Sequence, residues 1–172
     1  FGAYTSGSTG ISKLVIHSSA NIVATAYQMS IFIPPSDVQE VWWTPILPPA
    51  LIAVTVSMTI FPLSTGLMVS LDPFCPLENI DIEFMDRKPN FWALIPRYCE
   101  LLMASDRIPE DYDMSHLRTI GAGAEAMNDR KYAEVEEFFH KHNVQAKLSA
   151  GYGQSEGCSN FTLPNPMFPL ED

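Results

Sequence analysis

VWWTPILPPALIAVTVSMTIFPLSTGLMVSL, residues 41–71, holds no charged side chain and is long enough to cross a membrane as one helix. Its punctuation says otherwise. Pro45, Pro48, Pro49, Pro62 and Gly66 cut it into short pieces, because proline removes a backbone donor and clashes with the preceding turn. Thr55, Ser57, Thr59, Ser64 and Thr65 interrupt its centre, and no Lys or Arg cluster flanks it. The run therefore reads as a strand over 41–46, a buried helix over 50–61 and a strand over 67–71. No membrane span is expected.

On both sides of this run the same alternation continues. Residues 2–4 read as the end of a strand, 14–16 as a short β run, and 21–31 as a helix stopped by Pro34 and Pro35. Downstream, 77–87 is helical with Ile80, Phe84 and Met85 on one face; 91–95 is a strand and 97–105 a helix. Residues 117–120 form a strand. Asn128 caps an amphipathic helix running to about His142, with Tyr132, Val135, Phe138 and Phe139 inward. Residues 146–149 form a last strand. Strands alternating with helices imply parallel pairing and right-handed crossovers, an α/β fold whose predominantly parallel sheet is flanked by helices. Ligands in such sheets sit beyond the carboxyl ends of the strands. The glycine-bearing turns after Tyr4, Ile120 and Ser149 are expected to converge on one crevice.

Composition bounds the partners. The 172 residues fit one domain, and 47% hydrophobic with 11% aromatic content excludes a disordered chain. The net charge of −10 repels phosphate backbones, so nucleic acid is excluded as a partner. Any phosphate must be held by local donors or a metal ion. Cys75, Cys99 and Cys158 are odd in number and fit neither a disulfide framework nor a zinc site, which points to a reducing, cytoplasmic home. No basic segment followed by an apolar run opens the chain, so no signal peptide is expected, and the start at Phe1 reads as that of an excised piece. His140 and His142 lie two apart on a helix and share no face; His17 and His116 are isolated. Each reads as a solvated or capping histidine.

The segment Tyr4-Thr5-Ser6-Gly7-Ser8-Thr9-Gly10-Ile11-Ser12-Lys13 carries the densest chemistry. Gly7 and Gly10 let the backbone turn sharply and bring N–H groups to an anion. Thr5, Ser6, Ser8 and Thr9 supply hydroxyl donors, and Lys13 a positive charge. The spacing is not that of a Walker A loop. A flexible Ser/Gly linker has similar composition. Tyr4 before the loop, Lys13 at its end and the apolar structure beyond favour phosphate binding. A second cluster, Gly151-Tyr152-Gly153-Gln154-Ser155-Glu156, combines a flat ring between glycines, a hydroxyl and a hard oxygen ligand suited to Mg²⁺. By itself it reads equally as a glycine-rich turn.

The decapeptide resembles the YTSGSTGxPK phosphate-loop signature of the adenylate-forming superfamily, which includes acyl- and aryl-CoA synthetases and peptide-synthetase adenylation domains. The second cluster resembles that family's GYGxTE motif, with Ser155 for threonine. Between them, Asp113 to Met127 is similar to the family stretch DLSSLR…GGAPL, with Ala124, Glu125 and Ala126 at the matching positions. The likeness spans Tyr4 to Glu156. It implies that the chain is a single partial domain, 1–172, of the family's large N-terminal domain, running from phosphate loop to GYGxTE-like motif.

The resemblance also implies roles. Thr5, Ser6, Gly7, Ser8, Thr9, Gly10 and Lys13 would hold the ATP phosphates. Ala124, Glu125 and Ala126 would wall the adenine, on which Tyr152, following Gly151, would stack. Ser155 would bind the α-phosphate and Glu156 the Mg²⁺; Glu156, Ser155 and Lys13 are the expected catalytic set. The implied activity is ATP-dependent activation of a carboxylic acid to an acyl-adenylate, followed by transfer to a thiol, expected to be coenzyme A. The residues that complete the family's site, a ribose-binding aspartate and a catalytic lysine, have no counterpart here, so the piece is expected to be inactive alone.

Four positions depart from the pattern. Ser12 replaces proline, which should free the loop. Leu14 replaces glycine, Ser19 a histidine, and Pro48 the histidine of a Pro-x-x-His gate, while Asn21 keeps its place. No acidic residue lies between Glu40 and Asp72 to hold a substrate ammonium, so a fatty or aromatic acid suits the chain better than an α-amino acid. A peptide-synthetase adenylation domain and a non-catalytic nucleotide-binding or scaffold module are the alternatives. Apolar surface around 41–71 predicts self-association.

Overall fold

The structure, a computed structural model, describes residues 1–5, 11–32 and 40–162, without the side chains of Phe32 and Leu94. Five strands form a parallel sheet: β3 (Val41–Pro45), β4 (Met68–Asp72), β5 (Phe91–Leu94), β6 (Thr119–Ala122) and β7 (Leu148–Ala150), in the order β4-β3-β5-β6-β7. The connection from β3 runs outward to β4, then the chain crosses back over β3 to β5 and proceeds to β7. The order therefore reverses between β3 and β5, which places helices on both faces.

The strand sequences show why. Trp42 and Phe91 are register partners and stack at 5.4 Å on one face, against Ala26 and Met29 of α1 (Ser19–Phe32) and Phe61 of α3 (Phe61–Ser64). Trp43 and Trp92 pair on the opposite face, also at 5.4 Å. There they meet Phe84 of α4 (Ile80–Arg87), Leu102 of α5 (Pro96–Met103) and Val135 and Phe139 of α6 (Asp129–Lys141). Consecutive bulky aromatics are the signature of a strand buried on both sides, since side chains alternate faces.

The uncharged run is the expected strand, helix and strand. Its helix is not continuous: α2 (Ile52–Thr55) passes through a π-helical segment, Val56–Ile60, into α3. Thr59 Oγ1 donates to Val54 O at 2.7 Å and Thr55 Oγ1 to Pro49 O at 2.7 Å, so these hydroxyls bond to the backbone carbonyls of the preceding turn and loop. Among the described residues, no helix is long and apolar enough to cross a membrane.

One expectation is corrected. β1 (Gly2–Tyr4) does not join the parallel sheet. It pairs antiparallel with β2 (Leu14–Ile16) in a separate two-stranded ribbon, Ala3 opposite Val15. Only nine residues separate these strands (5–13), too few for a parallel crossover, so a hairpin is the available connection.

α4 buries more than the expected apolar face. Asp81 on it is buried too, held by Arg107 Nε at 2.9 Å and by Ser105. His116 and His142 each place Nδ1 at hydrogen-bonding distance from a carbonyl, Pro89 O at 2.7 Å and Tyr112 O at 2.8 Å. His142 is buried, not solvated, and joins α6 to the segment before β6.

Candidate functional site

The ribbon carries the first motif. Its loop is closed at the base by Thr5 N donating to Lys13 O at 2.9 Å and by Ser12 Oγ donating to Thr5 O at 2.6 Å. Ser12 thus ties the two described ends of the loop together. Lys13 is exposed and forms no ion pair among the described residues. Ser6, Gly7, Ser8, Thr9 and Gly10 lie outside the described residues.

The other two motifs leave adjacent strand ends. Gly151 N donates to Ala122 O at 3.0 Å, and a Cβ added to Gly123 would lie 3.6 Å from Gly151 O. Ala124 follows with φ of 69°, a left-handed conformation that turns the chain sharply off the sheet. Glu125 and Ala126 are exposed. Glu125 does not sit at a helix start: α6 begins four residues later, capped by Asn128, whose Oδ1 accepts from Lys131 N at 2.9 Å.

After β7, Tyr152 is about half exposed, bridges Thr162 in antiparallel fashion, and lies 5.8 Å from the Phe161 ring. Gln154 Nε2 donates to its hydroxyl. Ser155 and Glu156 open a single 3₁₀ turn, Ser155–Gly157; Ser155 is half-buried and Glu156 exposed. Cys158 and Ser159 then take positive φ values of 60° and 102°. That turn is held from behind by a buried polar set: Ser159 Oγ lies 2.5 Å from Ser57 Oγ in the π-helical segment, and Asn160 Nδ2 donates to Ser57 Oγ at 2.9 Å.

Two contacts join this turn to the ribbon. Ala3 of β1 packs with Cys158, Ile52 and Val56 in one apolar cluster. His17, just after β2, is buried with Nε2 2.7 Å from Ser155 O. The ribbon that carries the first motif and the 155–158 turn are therefore physically connected, the His17–Ser155 contact spanning 138 positions of chain. In the sequence His17 stands isolated. Nothing in its spacing signals a partner that distant.

A surface cavity of about 480 Å³ opens where α5 and α6 begin, lined by Pro96 and Arg97, by Glu125, Ala126 and Met127, and by Lys131. It takes in Glu125 and Ala126 of the expected residues. Tyr152, Ser155, Glu156 and Lys13 are not part of its wall.

Glu156 makes no ion pair among the described residues, and no group of three or more metal-ligating side chains occurs among them. A single exposed carboxylate fits Mg²⁺, which retains waters and takes one or two carboxylates alongside substrate phosphates. It does not fit an all-protein metal cage.

Comparison with known proteins adds to this geometry. No curated protein matches the chain in sequence. O-succinylbenzoate coenzyme A synthetase (MenE) from Bacillus subtilis, in complex with AMP, is 20% identical with a TM-score of 0.74, over 99% of this chain and 40% of that one. The N-terminal domain of FACL13 from Mycobacterium tuberculosis, inhibitor bound, is 20% identical at a TM-score of 0.77, over 97% and 39%. McyG A-PCP, complexed with phenylalanyl-adenylate, is 19% identical at 0.79, over 94% and 30%. The chain thus spans 30 to 40% of these structures. The family described as AMP-binding enzyme matches residues 2–171, and the chain belongs to it.

Proposed function

We propose that residues 1–172 are part of the large domain of an enzyme that activates a carboxylic acid with ATP and passes the acyl group to a thiol. The observation that supports this reading is that the Ser155–Glu156 turn is tied to the ribbon that bears the Thr5–Lys13 loop, while Gly151 lies against Ala122 and Gly123. In this reading Thr5, Lys13 and the intervening residues hold the phosphate tail. Ala124, Glu125 and Ala126 line the adenine, with Gly151 and Tyr152 opposite. Ser155 donates to the α-phosphate, and Glu156 holds Mg²⁺.

The chemistry follows from those positions. A substrate carboxylate oxygen bonds to the α-phosphorus while the bond to pyrophosphate breaks and pyrophosphate leaves. The sulfur of a thiol, coenzyme A in this proposal, then bonds to the acyl carbon, AMP leaves and the thiol proton passes to water. Lys13 and Ser155 stabilise charge on the phosphate oxygens, so the protein's part is positioning and electrostatics. Mg²⁺, when bound, neutralises charge on the triphosphate.

A fatty or aromatic acid is the favoured substrate. Asp72, the first acidic residue after the uncharged run, already pairs with Arg87 at 2.9 Å, which leaves it engaged rather than open to an ammonium. A cytoplasmic setting is proposed on the three free, buried thiols, Cys75, Cys99 and Cys158; burial pushes the Cys99 thiol up to about 12. Val23, Tyr27 and Ile31 form an exposed apolar stripe on α1, which supports self-association of the chain when it stands alone.

The test is ATP–pyrophosphate exchange by the intact natural protein, with fatty, aromatic and amino acids compared, together with calorimetry of Mg·ATP binding. Exchange driven by fatty or aromatic acids supports the proposal. Exchange driven by an amino acid supports an adenylation domain of the peptide-synthetase kind. Nucleotide binding without exchange supports the non-catalytic alternative.

A further inference from the structure

His17 occupies a position fixed on both sides. Before it, β2 is held in register by β1. After it, Ser18 and Asn21 cap α1 reciprocally: Ser18 Oγ donates to Asn21 Oδ1 at 2.7 Å, and Asn21 N donates to Ser18 Oγ at 3.2 Å. The His17 main chain is tied again by its N donating to Phe1 O at 2.8 Å. A buried ring on so fixed a stretch of backbone has little freedom to reorient. Its Nε2 faces Ser155 O at 2.7 Å, and because a carbonyl only accepts, Nε2 carries the proton. Ser155 O also accepts from Cys158 N at 3.2 Å, which closes the 3₁₀ turn. One carbonyl therefore receives both the turn's own bond and the bond from the ribbon.

We propose that His17 is a positioning residue for the nucleotide site. Its hydrogen bond sets the separation between the Thr5–Lys13 loop and the Ser155–Glu156 turn, so that both reach one triphosphate at once. The inference rests on the nucleotide-binding reading above and adds to it a residue that touches neither nucleotide nor acid. The apolar cluster that Ala3 and Cys158 share with Ile52 and Val56 holds the same two elements together, but it is non-directional and permits sliding. The His17 bond has a direction and fixes the register of one element on the other.

The experiment uses the intact natural protein with His17→Leu, which keeps the bulk without a donor, and His17→Gln, which keeps an N–H able to reach Ser155 O. Calorimetry with Mg·ATP, pyrophosphate-exchange kinetics and hydrogen exchange are read for each. In His17→Leu, KM for ATP is expected to rise about five- to tenfold, the scale of one lost hydrogen bond. Exchange of the 5–13 and 155–158 amides should quicken together in the nucleotide-free protein. His17→Gln should restore both. Unchanged KM in His17→Leu, or equal loss in both variants in step with a fall in Tm, overturns the proposal. Should His17→Leu not fold, His17→Gln against the shorter His17→Asn decides on the same criteria. Failure of the wild-type protein to bind Mg·ATP instead sinks the nucleotide reading itself.

Discussion

A Cβ placed on Gly153 would lie 1.7 Å from the carbonyl oxygen of Ser159. The two backbones touch where the chain doubles back after Tyr152, and the Tyr152–Thr162 bridge closes the same bend. The glycine is there for space, because the obstacle is backbone and cannot rotate away.

Gly153→Ala is therefore expected to destabilise the protein by about 1–3 kcal/mol. Gly121→Ala, on β6 with nothing within 4 Å of an added Cβ, is the control and should unfold near the wild-type temperature. Thermal unfolding of the two variants side by side checks this, and equal Tm values would refute it.

Lys13→Ala and Glu156→Ala are expected to lower ATP–pyrophosphate exchange by the intact protein about 100-fold each, the scale of losing one charge-stabilising group. Both side chains are exposed, so Tm should barely move. Retained exchange in either variant would remove that residue from the proposed site.

The Trp43–Trp92 pair anchors the larger core with Phe84, whose ring lies 5.0 Å from that of Trp92. Trp92→Ala should cost about 3–5 kcal/mol in denaturant unfolding. Ile82→Ala, on the exposed side of α4, should cost far less.

Stability should fall with acid through His116. Burial holds its imidazole below the ordinary value of 6.5, with Lys88 acting the same way, against the raising influence of Pro89 O and Asp113. The unfolded state therefore takes up a proton first, and stability that is complete above 6.5 is lost as pH falls toward the lower folded value. Asp81 acts lower down. Burial opposes its charge, but hydrogen bonds from Ser105 and Arg107 outweigh burial and hold its carboxyl below 3.8, so its contribution is lost only as pH falls below that value. Denaturant unfolding between about pH 7.5 and 5.5 should show the first effect in the wild type and a flatter profile in His116→Asn.

Much of this was legible in residue order. The prolines of 41–71 exclude a single helix, and Trp42-Trp43 and Phe91-Trp92 are apolar on both faces of a strand, so a covered parallel sheet follows from local chemistry. Asn128 announces the start of α6, and the structure places it in that cap. Short-range rules were weaker at edges. β6 begins at Thr119, two residues later than its apolar run suggests, because pairing with β5 and β7 and not hydropathy sets where a ladder begins.

Residue order alone carries the alternation of strands and helices, the faces they bury and the motifs that resemble those of the AMP-binding family. Those depend on spacing of a few residues, which a linear pattern records. Packing in three dimensions sets the first motif on an antiparallel ribbon outside the sheet, places Ser57 behind Ser159 and brings His17 to Ser155. Such contacts join residues more than a hundred positions apart, and their geometry comes from how whole elements pack, which no local periodicity encodes.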